Sequence, residues 1–128
     1  MHQPYENILG HHADFRVAYR YYEQEEGGRR TLPFQGIRSD FWYDSGDHTL
    51  KGVFMIWPEF EDASGEVILE NNKSVQSSGT ARMWIINNQL RKYHQERIKI
   101  GLTGYFIEGK RVATCEIIEI IGLLANPI

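Results

Sequence analysis

The sequence has a single cysteine, Cys115, so no intrachain disulfide can hold it together. Its thiol lies in an apolar stretch, VATCEII, where a buried, inert state is expected. The scarcity of cysteine fits a reducing compartment. No stretch of the sequence approaches the roughly 18 apolar residues of a membrane-spanning helix. The first residues, MHQPYENILGHH, lack the basic start and long apolar run of a secretory leader. Together these absences predict a cytoplasmic protein with no membrane partner. Phosphate-cradling loops are also missing: neither GxxxxGK[ST] nor GxGxxG occurs, and no serine sits in a nucleophile-elbow pattern.

What is present is an ordinary globular mixture, with 41% hydrophobic and 24% charged residues in a chain of 128. That length suits one domain with its own core. Seven Tyr, six Phe and three Trp lean the composition toward β-structure. The net charge of -3 is unevenly spread. Residues 1–72 hold 6 basic and 13 acidic residues, a net of -7, whereas residues 73–128 hold 8 and 4, a net of +4. An acidic protein is not a general DNA binder, and any RNA contact must be local.

Residues 1–13 read as a loose N-terminal arm broken by Pro4 and Gly10. From Asp14 the pattern has period two: Phe15, Val17, Tyr19 and Tyr21 fall on one side, Arg16, Ala18, Arg20 and Tyr22 on the other. Further strands are expected in FQGIRSDFWYD, in HTLKGVFMIWPEF up to Pro58, in VIL at residues 67–69, and in TARMWII. RIKIGLTGYFIEG and KRVATCEIIEII form the two arms of a terminal hairpin turning at Glu108-Gly109-Lys110. In its second arm Ala113, Cys115, Ile117 and Glu119 share one side. NNQLRKYHQERI is the one helical candidate, without a clear apolar stripe. Six or so strands separated by turn signals predict an all-β domain over residues 14–128, a closed antiparallel barrel or a sandwich. Closure would remove the exposed edges of aromatic-rich strands.

Candidate chemistry is sparse. His11 and His12 would point to opposite faces of a strand, and no second cluster completes a metal shell; His48 and His94 stand alone. Glu59 and Glu61 belong to an acidic, turn-like run, EFEDASGE, where solvation is the expected role. RKYHQERIK, residues 91–99, reads as a solvated loop or a phosphate-tracking patch. No catalytic residue, metal or cofactor is expected.

The feature that stands out is the long Gly/Pro-marked crossing EEGGRRTLPFQGIRSDFWY. A simple hairpin needs only two to five residues in such a place. GGRRTLPFQGIRSDF is similar to GGRxTPFFxGYRPQF, a stretch of the C-terminal domain of elongation factor Tu. Gly27, Gly28, Arg29, Thr31, Phe34, Gly36, Arg38 and Phe41 fall in register. FRVAYRYYEQEEGG looks like the strand that leads into this stretch in that family. IEGKRVATCEIIEII resembles the family hairpin REGGRTVGAGVV, with Glu108, Gly109 and Arg111 matching. The likeness covers most of residues 14–122 and is poorest between 44 and 79. It implies a closed six-stranded antiparallel β-barrel that is not itself catalytic. It also implies a crossing exposed on the barrel, a surface that in the family helps contact aminoacyl-tRNA, the GTPase domain and the exchange factor.

On that basis Arg29, Arg30, Thr31, Gln35, Arg38, Asp40, Lys110 and Arg111 are the candidate partner surface. The competing reading is that the arginines pair with Glu23, Glu25, Glu26 or Asp40 and only brace the loop. This chain departs from the family at Ser39-Asp40, at Thr114-Cys115-Glu116 and at SSGT, residues 77–80. These changes place carboxylates where RNA would approach. The expected function is therefore a non-enzymatic module that binds a translation-related protein or acts as a mimic competing for such a partner. The alternatives are an RNA- or tRNA-binding module using the Gly27–Arg38 loop and the basic second half, or a small-molecule-binding barrel or enzyme with its site in residues 44–79. Oligomeric state is not readable.

Overall fold

The computed structural model describes residues 1–47 and 52–127. Residues 48–51, which include His48 and the start of the expected third strand, lie outside the described residues. The strands are β1 (Phe15–Tyr21), β2 (Asp40–Tyr43), β3 (Ile56–Phe60), β4 (Ser78–Ile85), β5 (Thr103–Ile107) and β6 (Arg111–Ile120). Two short helices, α1 (Tyr5–Leu9) and α2 (Arg91–Gln95), complete the regular structure with two 3₁₀ turns. All pairings are antiparallel, in the order β2-β5-β6-β1-β4-β3.

The expected closure is corrected here: the sheet is a curled half-barrel, not a closed barrel. Its outer strands, β2 and β3, share no ladder among the described residues. They approach through one bridge, Phe41 with Phe54, whose two backbone bonds are 2.8 and 3.0 Å. VIL at 67–69 is likewise no strand; Val67 makes only an isolated bridge with Glu61.

The concave side holds the core. The β1 alternation places Phe15, Val17, Tyr19 and Tyr21 inward, all buried, as the period-two pattern predicts. Phe41, Phe60 and Phe106 join them from β2, β3 and β5. Gly104 has a packing reason to lack a side chain: a Cβ there would sit 2.2 Å from Phe41 Cζ. Cys115 is buried on the same side, and burial pushes its thiol well above the usual range.

Simple alternation fails at two places. The β1–β6 register shifts between Arg16 and Val17, so Arg16 pairs with Glu119 while Val17 pairs with Ile117. That extra residue moves Glu119 to the outer face, where its carboxylate accepts a hydrogen bond from Arg16 at 2.9 Å. The second failure is Pro58, which does not stop β3. Phe60 N–H and C=O bond to Gln35 and Ile68 on the free edge, and Pro58, two residues earlier, turns its nitrogen to that same edge.

The N-terminal arm is not loose. His2 Nε2 lies 2.6 Å from Glu59 Oε2, and the Tyr5 N–H donates to the same oxygen at 2.8 Å. Trp84 Nε1 donates to Glu59 Oε1 at 3.1 Å. Trp84 and Glu59 stand on the outer face, yet both are buried because the arm covers them. The helical candidate does form α2, and its Arg91 and His94 are buried, so residues 91–99 are not an open basic patch. Arg91 pairs with Asp14, and His94 Nδ1 lies 2.6 Å from the Tyr43 hydroxyl.

Burial, and then the positive charge of Arg91, lower the His94 pKa to about 4. The unfolded chain, with an ordinary histidine, binds the proton more readily. Stability should therefore be intact above about pH 6.5 and fall by about 3 kcal/mol as pH drops to 4. Urea denaturation across that range checks it, and a His94→Gln variant should lose that component of the slope. Gly104→Ala should cost about 2 kcal/mol by overpacking against Phe41, measured by the same method.

Candidate functional site

Sheet order explains the length of the crossing. β1 and β2 are consecutive in sequence but separated by β6 and β5, so the chain between them must travel across the end of the half-barrel. It starts with a 3₁₀ turn, Gln24–Glu26, closed by Gly27 at φ 89°. Gly28 is required for space instead, since a Cβ would sit 2.2 Å from the Tyr22 carbonyl oxygen. Pro33 O then accepts from Val75 N at 2.9 Å, and Leu32 packs against the core.

The eight candidate residues divide into three groups. Arg29 and Gln35 brace the crossing. Arg29 forms an ion pair with Glu108 in the β5–β6 turn and donates to its own loop at Thr31 O, 2.8 Å. Glu108 also accepts from the Ser39 hydroxyl at 3.2 Å. The brace is thus real for Arg29, but its partner is Glu108 and none of the four carboxylates expected. Gln35 is buried, and its amide is fully used. Nε2 donates to Phe60 O and Ile68 O at 2.9 and 2.8 Å, while Oε1 accepts from Phe60 N at 2.8 Å. It acts as a fragment of extra strand along β3 and presents nothing to a partner.

Arg30 and Thr31 are exposed and line a cleft of about 270 Å³ beside Glu23 and Glu25. Tyr21 also lines it, and the Tyr21 hydroxyl is buried without a hydrogen-bond partner among the described residues. Burial, and then the nearby Glu108, raise that hydroxyl's pKa. The cleft mixes both charge signs and is not an anion funnel.

Arg38, Asp40, Lys110 and Arg111 belong to the outer face of the sheet or its rim. Arg38 is exposed and lies over the Trp57 ring at 5.0 Å. Asp40 is half-buried on β2, and Lys110 is exposed in the β5–β6 turn. Arg111 opens β6, with its guanidinium 3.9 Å from the Tyr105 ring centre and 5.2 Å from that of Trp42. Trp42 and Tyr105 are cross-strand partners and stack at 6.1 Å with 30° between their planes. Continuing across the sheet, Tyr105 opposes Thr114, and Thr114 opposes Arg20. Arg20 lies 5.5 Å over the Tyr22 ring and is paired with Glu26.

The outer face therefore carries one group in which a Trp, a Tyr and an Arg meet. Arg111 was legible in the sequence as a basic candidate, but Tyr105 was missed. Its signal was the alternation in TGYFI, which sends Tyr105 outward between inward Gly104 and Phe106. Elsewhere Tyr43 and Trp84 are buried and Trp57 lies beneath Arg38. Among the described residues no group of three His, Cys, Asp or Glu side chains is placed to hold a metal ion. No described helix is long and apolar enough to cross a membrane.

No protein-family model matches this sequence, and no curated protein matches it. The site must be read from its own chemistry.

Removing one brace separates structural from surface roles. Gln35→Ala leaves buried backbone groups of Phe60 and Ile68 unpaired and should cost about 3 kcal/mol. Arg30→Ala removes no hydrogen bond, ion pair or ring contact among the described residues and should change stability by less than about 0.5 kcal/mol. Parallel urea melts of the two variants check both.

Proposed function

We propose that this chain is a non-enzymatic binding module that engages a protein partner through the Trp42–Tyr105–Arg111 face. The observation that carries the proposal is the half-exposed Trp42–Tyr105 stack with Arg111 over both rings. Trp, Tyr and Arg are the residue types that dominate binding energy at protein interfaces. Their mutual stacking holds them in one arrangement before any partner arrives, which lowers the entropy lost on binding. The overall charge of -3 and the carboxylates beside Arg30 weigh against a polyanion. The likeness of Gly27–Phe41 to the C-terminal domain of elongation factor Tu supports a translation-related partner in the cytoplasm, or a role for this chain as a mimic competing for one.

RNA is the second reading. It is favoured by arginines lying over aromatic rings at Trp42, Tyr105 and Tyr22, an arrangement that also suits base stacking. Affinity capture from lysate, with and without nuclease, separates the two. Under the protein reading, the parent chain retains a protein after nuclease treatment. Trp42→Ala loses that protein, while Arg97→Ala, whose cation lies over Tyr93 elsewhere on the molecule, keeps it. Retention that disappears with nuclease, or equal capture by the Trp42 variant, would overturn the proposal.

A further inference from the structure

We infer that the partner is recognised by a carboxylate: the Trp42–Tyr105–Arg111 face fits an acidic peptide segment that sets an Asp or Glu against the edge of Arg111 and an apolar side chain on Trp42. This inference rests on the protein-binding reading above and names the chemistry of its partner.

A guanidinium has two kinds of surface. Its flat faces stack on aromatic rings, and its N–H donors radiate within its plane. In Arg111 the guanidinium rests on the Tyr105 ring, 3.9 Å from its centre, with Trp42 to one side at 5.2 Å. Its donors are not taken up. Among the described residues the Arg111 side chain has no hydrogen bond or ion pair, and it is exposed at the start of β6. The carboxylate closest in sequence, Glu108, is already taken by Arg29 and Ser39. Packing on Tyr105 beside Trp42 therefore restrains the cation while leaving N–H donors without a partner. That is the arrangement needed to take a carboxylate by two parallel N–H···O bonds with little further loss of freedom.

The count of free cations decides between a carboxylate and a phosphate chain. A nucleic-acid backbone is held by several cations along its track. Around this face, among the described residues, Arg20 is neutralised by Glu26 and Arg29 by Glu108, and Arg38 lies over the Trp57 ring, leaving Arg111 and the neighbouring Lys110. Asp40 stands on the same strand and the same outer side as Trp42, so a row of phosphates would have to pass a carboxylate. One acidic side chain needs only one arginine. The indole of Trp42 beside it gives an apolar neighbour somewhere to rest.

The test is a titration of isotopically labelled protein with an acetylated pentapeptide, Gly-Glu-Phe-Glu-Gly, following the Trp42 indole N–H by NMR. The same peptide with glutamine for both glutamates, and a short oligouridylate, serve as controls. The expected result is saturable movement of the Trp42 indole by the glutamate peptide. The glutamine peptide should bind at least about tenfold more weakly. Arg111→Lys, which keeps the charge but loses the planar fork, should weaken the glutamate peptide by a similar factor with no change in melting temperature. Equal response to both peptides, or an Arg111→Lys variant that binds like the parent, overturns the inference. So does an indole that is unmoved at about 1 mM glutamate peptide, or one moved only by the oligouridylate. If capture of a protein through Trp42 succeeds while the two peptides bind alike, the binding reading stands and the carboxylate falls.

Discussion

One buried carboxylate ties together the parts of this chain that are farthest apart in sequence. Asp14 Oδ2 accepts from Ile85 N at 2.7 Å, and Oδ1 accepts from Asn126 Nδ2 at 2.8 Å and from Arg91. Its backbone adds bonds to Met83, Ile121 and Leu123. The entry to β1, the exit of β4, the helix α2 and the C-terminal segment therefore meet on one residue. Such a charge is costly to bury, and it persists because every one of those donors is aimed at it. Removing either Asp14 or Arg91 would leave the other buried and alone. The rest of the half-barrel, including the β6 strand that carries Arg111, takes its position from this junction.

The outer face is organised by a division of labour. Near β3 and β4 the N-terminal arm covers Trp84 and Glu59. Beside it, Arg16 and Arg82 close over Glu61, whose pKa falls despite the opposing effect of burial because both arginines and Thr80 donate to it. These groups satisfy one another. Toward β2, β5 and the start of β6 the face keeps aromatic surface and arginine donors without a partner among the described residues. The self-paired charges and the open aromatic surface thus occupy different parts of one sheet.

The inward residues of β1, the burial of Cys115 and the terminal hairpin were legible because each depends on local alternation and a glycine-marked turn. The outward swing of Glu119 was not, because a bulge is set by the partner strand. Closure of the barrel was not legible either: whether β2 and β3 pair depends on curvature accumulated over the whole sheet. Arg91 and His94 looked like part of a basic loop since nothing local announces that Asp14 and Tyr43 await them. Gln35 looked like a surface residue for the same reason. Arg111 could be named as a candidate, but its meeting with Trp42 and Tyr105 depends on register across three strands.

The use of Gln35 as a piece of strand has a consequence for chemical ageing. Loss of its amide nitrogen would replace a donor shared by two carbonyl oxygens with an oxygen facing both of them. Attraction would become repulsion on the free side of β3, next to the Ile68 N–H bond to Phe60 O. An exposed strand edge is the usual starting point for pairing between molecules. A single deamidation, invisible in the bulk of the fold, would thus convert a protected border into an adhesive one, and the chain's shelf life in solution would be set by the hydrolysis of one side chain.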